Sequence, residues 1–425
     1  MALTAEQIAI VKSTAPVVKQ HGRTITTTFY KSMLAAHPEL LNIFSVRNQH
    51  TGAQQAALAD AVFAYAAHID DLPALRGAVE RIAHKHASLF VKPEQYAIVG
   101  EHLVGAFAEV LGDALTDDVK DAWIAAYGQL ADVFIQRERQ LYDGSGVEWQ
   151  SWRKFVVGRR ETESDDVVSL YLRPRDGVPL RSFKPGQYVS VQVPVPELDG
   201  LLQSRQFSIS SAPGDGLADL RVSVKRETLP PGATVQDMAE GRVPGLVSNM
   251  LHDKYPVGSE VEVSPPHGEF FFDAEAIKPQ APVVLLSLGV GATPLVSILE
   301  TMLRDQDKKE SSAPARAISY IHGARHSGAV LFRDEIKEAA SKHDNVRRVI
   351  FLKSVANGDR LGDDYDFAGR MDLAQAGEEL HLDNPDAEYF VCGSEGWMLE
   401  TRGWLEARGV ATERMHMELF RTGHL

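Results

Sequence analysis

The hydrophobic period changes twice along this chain of 425 residues, and these changes constrain its fold more than any other feature. In residues 4–141 apolar side chains recur at three- and four-residue spacing, as in Ile8, Val11 and Ala15, which is typical of amphipathic helices. The turn-forming stretch 143–146 (Asp-Gly-Ser-Gly) ends this pattern. A single repeating architecture therefore cannot account for the whole chain.

The helical part is predicted to form one all-α domain, residues 1–142. Thr4 followed by Glu6 and Gln7 predicts a capped helix start, and Ala-rich runs have strong helix propensity. Six or more helices and no convincing strand are expected here.

After the turn the period becomes two. Residues 186–193, 220–225 and 260–263 alternate apolar and polar side chains, which predicts short strands with one buried face. We expect a small antiparallel β-barrel domain over residues 150–273, with residues 229–246 as a surface insertion.

The last part, residues 280–425, changes again. A buried strand at 283–288 precedes a Gly-rich turn and a helix at 294–304. Further strands are predicted at 317–322, 348–352 and 388–391. Strands that alternate with helices indicate a doubly wound α/β domain with a parallel sheet.

Composition excludes several classes of protein. The net charge of −14 argues against nucleic-acid partners, which require surplus Lys and Arg. The single cysteine, Cys392, excludes an intramolecular disulfide and Cys-rich zinc or iron–sulfur sites. The first residues lack a basic and apolar leader, and no apolar run is long enough to span a bilayer. We expect a cytoplasmic monomer without integral membrane association.

Three short motifs follow one another in the alternating part. An arginine, an aromatic ring and a hydroxyl stand close together at 205–208 (Arg-Gln-Phe-Ser), where they can meet a pyrophosphate and an isoalloxazine. A Gly-Gln-Tyr turn (186–188) precedes it, and Gly-Leu-Val-Ser-Asn (245–249) follows. Their order resembles the ferredoxin–NADP reductase superfamily. The resemblance implies that FAD is bound by Tyr188, Arg205, Gln206, Phe207, Ser208, Val247 and Ser248.

The α/β part carries a dinucleotide turn at 289–294, between a buried strand and a helix. Glycines let the backbone approach a pyrophosphate, although the pattern departs from Gly-x-Gly-x-x-Gly. The same resemblance implies that NAD(P)H binds at Gly289, Val290, Gly291, Ala292, Thr293, Pro294, Cys392 and Gly393. A buried strand-end cysteine without a role is the alternative for Cys392.

The chain departs from the superfamily pattern at two places. Ser394 replaces a proline after Cys392-Gly393, and Arg421-Thr422 replaces a Gly-Pro. The resemblance nevertheless implies that the strand end before the second departure covers the flavin, through Glu418, Leu419 and Phe420.

Three histidines of the helical part could ligate a metal: His68, His84 and His86. From periodicity alone each fits a solvated or core histidine equally well. The pattern Lys85-His86, nine residues, Tyr96 resembles the proximal haem motif of the flavohaemoglobins, and the whole chain resembles that family end to end.

This resemblance implies that His86 ligates the iron of haem b, with Tyr96 as its hydrogen-bonding neighbour and Glu138 as the completing carboxylate. Such a carboxylate makes the imidazole more electron-donating. Without the resemblance, Glu138 would be interpreted as a solvated charge.

On the opposite side of the haem, the resemblance implies that Tyr30 and Gln54 donate hydrogen bonds to bound oxygen and that Leu58 restricts access. By residue type alone, a core tyrosine and a surface glutamine are the alternatives. Lys85 and Glu418 match positions between haem and flavin, although Lys85 fits a solvated lysine nearly as well. Arg325, after a strand, fits either the 2′-phosphate of NADPH or a solvated loop.

The activity that the resemblance implies is nitric oxide dioxygenase: electrons from NAD(P)H pass through FAD to haem, where oxygen and NO become nitrate. Two other functions fit the same motifs. One is an oxygen-binding or oxygen-sensing globin whose reductase keeps the iron ferrous. The other is a reductase that acts on NO or other acceptors without oxygen.

Overall fold

The computed structural model describes residues 3–228, 245–308 and 315–420, which fold into three successive domains. Within these residues no helix is long and apolar enough to cross a membrane. Most of the predicted insertion at 229–246 lies outside the described residues.

The first domain is helical, as predicted. Its helices are α1 (Ala5–Ala36), α2 (Val46–His50), α3 (Ala53–Ala67), α4 (Arg76–Ala87), α5 (Pro93–Leu111) and α6 (Asp117–Gly144). The predicted start of α1 is confirmed: the Thr4 side chain accepts from the Gln7 backbone, and the Gln7 side chain accepts from the Thr4 backbone. Helix α6 continues through Asp143 and Gly144 and ends only before Gly146, which has a φ of +81°.

The second domain is the predicted antiparallel barrel. Its strands are β1 (Arg153–Ser164), β2 (Val167–Pro174), β3 (Tyr188–Val195), β4 (Leu201–Ser208), β5 (Leu220–Lys225) and β6 (Glu260–Val263). The hydrogen-bonded order is β4-β3-β6-β1-β2-β5, and a bridge between Ile209 and Val222 connects the two ends. Helix α7 (Leu246–Asp253) packs Val247, Met250 and Leu251 into the barrel core.

The third domain is the predicted parallel sheet, in the order β10-β9-β8-β7-β11-β12. Its strands are β7 (Val283–Leu288), β8 (Ile318–Ala324), β9 (Val346–Leu352), β10 (Phe367–Ala368), β11 (Glu388–Cys392) and β12 (Met415–Glu418). Helices α8 (Ala292–Asp307), α9 (Arg333–Lys342) and α10 (Glu395–Glu406) complete the α/β architecture.

The helical domain docks on the barrel through side chain to backbone hydrogen bonds. Gln203 of β4 donates to the carbonyl of Leu41 (2.8 Å) and accepts from the backbone of Val46 (3.0 Å). The neighbouring Leu202 N–H donates to Asn42 Oδ1 (2.8 Å). These bonds hold the segment before α2 against β4.

The barrel meets the third domain through a charged cluster. Arg221 of β5, whose side chain is only 4% exposed, lies 3.0 Å from Glu300 of α8 and also pairs with Glu335 of α9. Burial raises the pKa of Glu300 to about 7, although Arg221 opposes this shift. Ion pairs occur at this seam as they do between the helical domain and the barrel, where Arg81 of α4 lies 3.0 Å from Glu269.

Candidate active site

Three side chains from three helices meet around His86. His86 Nδ1 lies 2.8 Å from Glu138 Oε1 and 2.9 Å from the Tyr96 hydroxyl, which itself donates to Glu138 Oε1 at 2.5 Å. Glu138 is only 2% exposed, and Phe134 packs its ring 5.7 Å from that of His86. The predicted proximal residues are therefore brought together.

This arrangement determines which imidazole nitrogen can bind a metal. A carboxylate can only accept, so His86 carries its proton on Nδ1 and donates it to Glu138. The Nε2 lone pair is left for a ligand bond, and 34% of the His86 side chain is exposed. Burial and Glu138 raise the pKa of Tyr96 well above its usual range, so the phenol remains a donor to the carboxylate.

The predicted distal residues also meet. Gln54, in the first turn of α3, lies beside the Tyr30 side chain of α1, and burial raises the pKa of that phenol. Among the described residues, the buried Gln54 Oε1 has no hydrogen-bond partner. Leu58 is half-buried one helical turn further along α3. Gln54 Oε1 can only accept, so the Tyr30 hydroxyl and the Gln54 amide N–H are the groups that can donate to a ligand here.

Helix α3 offers apolar surface to a large planar group. Most of its residues are apolar, yet only Tyr65 and Ala66 are buried. Val62 and Phe63 are only partly covered by the helical core. The open imidazole, the Tyr30 hydroxyl and this apolar helix fit the requirements of a haem.

A cavity of about 750 Å³ lies where the three domains meet. Of the predicted cofactor-binding residues, it is lined by Lys85, Tyr188, Arg205, Gln206, Phe207, Ser208, Ser248, Val290, Thr293, Glu418, Leu419 and Phe420. Its size suits a bound dinucleotide. Phe420 is 44% exposed, so an aromatic face is available to stack on a ring ligand.

Lys85 and Glu418, which the resemblance implies lie between haem and flavin, both line this cavity. Burial raises the pKa of Glu418 to about 8, with Glu269 adding to the shift and Lys85 opposing it. Burial lowers the pKa of Lys85, and Glu418 opposes that shift. The two groups thus stabilise each other's charged form across this cavity, which we call the flavin cavity after the predicted FAD-binding residues that line it.

The remaining predicted residues lie behind the cavity wall. The side chain of Val247 is fully buried in the barrel core, so only its backbone is left to contact a cofactor. Ala292 and Pro294 are buried in the third domain. Gly289 has a φ of +56°, a conformation that favours glycine.

Cys392 and the dinucleotide turn are in close contact. A Cβ atom on Gly291 would lie 2.0 Å from the carbonyl oxygen of Cys392, and one on Gly393 would lie 2.7 Å from the Trp397 ring. Only glycine fits at either position. Burial raises the pKa of the Cys392 thiol, which argues against a thiolate nucleophile.

Arg325 is already paired: it lies 2.7 Å from Asp166, between β1 and β2 of the barrel. Sequence reasoning missed five charged residues that line the flavin cavity: Arg47, Asp60, Lys225, Glu227 and Glu395. Of these, Arg47 of α2 and Glu227 after β5 contact each other. They form an ion pair across 180 positions of sequence, and no local pattern signals such a contact.

Comparison with known proteins supports this arrangement. The family model described as Globin matches residues 27–134, and the oxidoreductase NAD-binding domain model matches residues 285–402. The chain is 47% identical to a flavohaemoprotein of Bordetella pertussis over 99% of both chains. It is 44% identical to a flavohaemoprotein of Rhizobium meliloti over 98% of both.

Two solved structures are similar as well. A flavohaemoglobin from Malassezia yamatoensis with bound FAD and haem is 28% identical, with a TM-score of 0.81, over 99% of this chain and 100% of that one. The FAD/NAD-binding domain of a nitric oxide dioxygenase from Vibrio cholerae is 31% identical, with a TM-score of 0.51, over 63% of this chain and 98% of that one.

Proposed function

Because the chain belongs to the flavohaemoprotein family, we propose that it is a nitric oxide dioxygenase, which uses NAD(P)H and oxygen to oxidise NO to nitrate. Each pair of NO and oxygen needs one electron to leave as nitrate, so one NAD(P)H serves two pairs. When bound, haem supplies the oxygen-binding iron, and FAD divides the hydride of NAD(P)H into the single electrons that iron accepts.

The hydrogen-bonded group of His86, Tyr96 and Glu138 carries this proposal. The buried Glu138 carboxylate accepts the Nδ1 proton of His86 at 2.8 Å, which gives the imidazole anionic character. An electron-donating ligand favours reaction of oxygen over reversible binding. An oxygen carrier gains little from this arrangement.

Tyr30 and Gln54 supply the hydrogen bonds on the other side. The raised pKa of Tyr30 keeps its hydroxyl protonated at neutral pH. A neutral phenol and an amide can donate to a ligand that gains negative charge and can orient it toward NO. Leu58 and the apolar face of α3 exclude water from the same space.

The flavin cavity lies between the domain that would bind NAD(P)H and the helical domain that would bind haem. Val290 and Thr293 line it from the nicotinamide domain, and Lys85 lines it from the helical domain next to His86. Arg205 and Ser248 would hold the FAD phosphates, and Tyr188 would lie beside the ring system. We infer that electrons pass from NAD(P)H through this cavity toward His86, in the cytoplasm, where the Cys392 thiol stays reduced.

The test is NO consumption by the purified chain loaded with haem and FAD, followed with an electrode. With NADPH and oxygen present we expect rapid loss of NO and formation of nitrate, and omission of either reactant should abolish it. NO loss that persists without oxygen would establish the reductase function instead. No NO loss despite a normal oxygenated spectrum would leave a binding or sensing globin.

A further inference from the structure

One wall of the flavin cavity comes from the helical domain. Arg47 of α2 lines the cavity together with Arg205 of β4 and Glu227. Arg47 pairs with Glu227, and its side chain is 33% exposed. A cation from the helical domain therefore lies in a cavity whose other basic wall is the flavin motif.

We propose that Arg47 is a second phosphate ligand of FAD, so that the helical domain completes the dinucleotide site of the reductase. In this arrangement the Arg47 guanidinium bonds the pyrophosphate beside Arg205. When FAD is absent, the ion pair with Glu227 keeps the guanidinium in the cavity. Arg47 then favours FAD over flavins that lack phosphate.

The position of Arg47 is fixed by the docking of the helical domain. Its neighbour Val46 donates its backbone N–H to Gln203, two residues before Arg205 on β4. Leu41 and Asn42 bind the same strand through Gln203 and Leu202. The nearest of these bonds, at Val46, lies one residue from Arg47, so docking of the helical domain holds the start of α2 beside β4.

The positive charges of Arg47 and Arg205 would be compensated by a bound anion. Within the described residues, the one hydrogen bond of the Arg205 side chain goes to the carbonyl of Ser204, at 2.6 Å. Burial and the neighbouring Arg47 lower the pKa of Arg205 to about 10. Two guanidinium groups thus share a single carboxylate, Glu227. A pyrophosphate would compensate both, because guanidinium groups bind phosphate oxygens in pairs.

The experiment uses the full chain, stripped of FAD but containing haem. The dissociation constants of FAD and of riboflavin, which has no phosphate, are measured by flavin fluorescence. Arg47→Ala is compared with Arg47→Lys and with Lys12→Ala. Lys12 is a matched control because it is an exposed cation of the same domain, paired with Asp70 at 2.6 Å. The haem absorption spectrum verifies that each variant is folded.

We expect Arg47→Ala to weaken FAD binding roughly tenfold, as for one half-exposed charge-assisted hydrogen bond. Riboflavin binding should stay unchanged, and Arg47→Lys should fall between Arg47→Ala and the unmodified chain. An FAD affinity equal to that of Lys12→Ala would overturn the proposal. Equal weakening of FAD and riboflavin would overturn it as well, since Arg47 would then act only through domain docking.

Discussion

The two sides of the inferred haem site differ in how fully their polar groups are satisfied. Around His86, three side chains bond one another within 2.5–2.9 Å. Around Tyr30, one contact to Gln54 leaves the buried Gln54 Oε1 without a partner among the described residues. The polar groups of the first side satisfy one another, whereas the second side leaves an acceptor unpaired.

The two sides therefore have different tasks: the side around His86 fixes the metal-binding ring, and the side around Tyr30 bonds a ligand. A closed network fixes the ring orientation and proton position of His86 before any substrate arrives. Around Tyr30, by contrast, the phenol hydroxyl and the Gln54 amide N–H can donate to a ligand that gains negative charge.

The largest expected effect comes from removing the imidazole that is predicted to ligate the haem iron. We expect His86→Ala to lose haem binding and all NO consumption, because no other side chain on that side can replace Nε2. Absorption spectra and the electrode assay measure both. His68→Ala is the control, since exposed His68 bonds only the carbonyl of Ala64. Full haem content in His86→Ala would show that another residue ligates the iron.

Glu138→Gln tests whether the closed network tunes the ligand or only holds it. The amide keeps the shape but not the charge, so we expect turnover to fall by roughly 10–100-fold. The iron–imidazole stretching frequency in resonance Raman spectra should fall in parallel. Exposed Glu94→Gln, at the start of α5, should change neither. A normal frequency with low turnover would mean that Glu138 acts by packing alone.

Tyr30→Phe probes the open side. Loss of one hydrogen bond of about 1.4 kcal/mol should speed oxygen dissociation from the ferrous protein roughly tenfold. Stopped-flow spectroscopy measures this rate. Tyr65→Phe removes another buried hydroxyl of the same domain, which bonds the carbonyl of Ala126 at 2.8 Å. If Tyr65→Phe has the same effect, the change reflects general loosening of the domain.

The smallest effect is expected for Gln54→Leu. Gln54 orients the Tyr30 hydroxyl and adds a weaker contact, so about 0.5 kcal/mol, or roughly a twofold faster oxygen dissociation, is expected. Gln55→Leu is the matched control, because Gln55 bonds Gln49 instead. An effect larger than that of Tyr30→Phe would reverse the two roles and make the amide the principal donor.

The residues that sequence reasoning identified have strong local patterns. The Lys-His and Tyr spacing led to His86 and Tyr96. Alternation led to β5 and β6 with their observed bounds and to β3 with a shift of two residues. Strands β1 and β2 were not predicted. Strand β1 is rich in charged residues, and its pairing with β2 contains two register shifts, so its period is broken.

Sequence reasoning also missed contacts between segments that are far apart along the chain. Arg47 is a surface arginine by any local criterion, and only domain docking places it in the flavin cavity. The same holds for Arg221, an outward position on an alternating strand that becomes buried against α8 and α9. Both arginines reach these positions through tertiary contacts, which leave no periodic pattern in the sequence.

The bonds from the helical domain to Leu202 and Gln203 also protect the barrel. Strand β4 is last in the sheet order, and a free strand edge can pair with another molecule and aggregate. Asn42 accepts from the backbone N–H of Leu202 on that edge, and the Leu41 carbonyl accepts from the neighbouring Gln203 side chain. A reductase fragment cut at 143–146 would expose both groups of β4 to solvent. The fused helical domain therefore contributes to the solubility of its own electron donor.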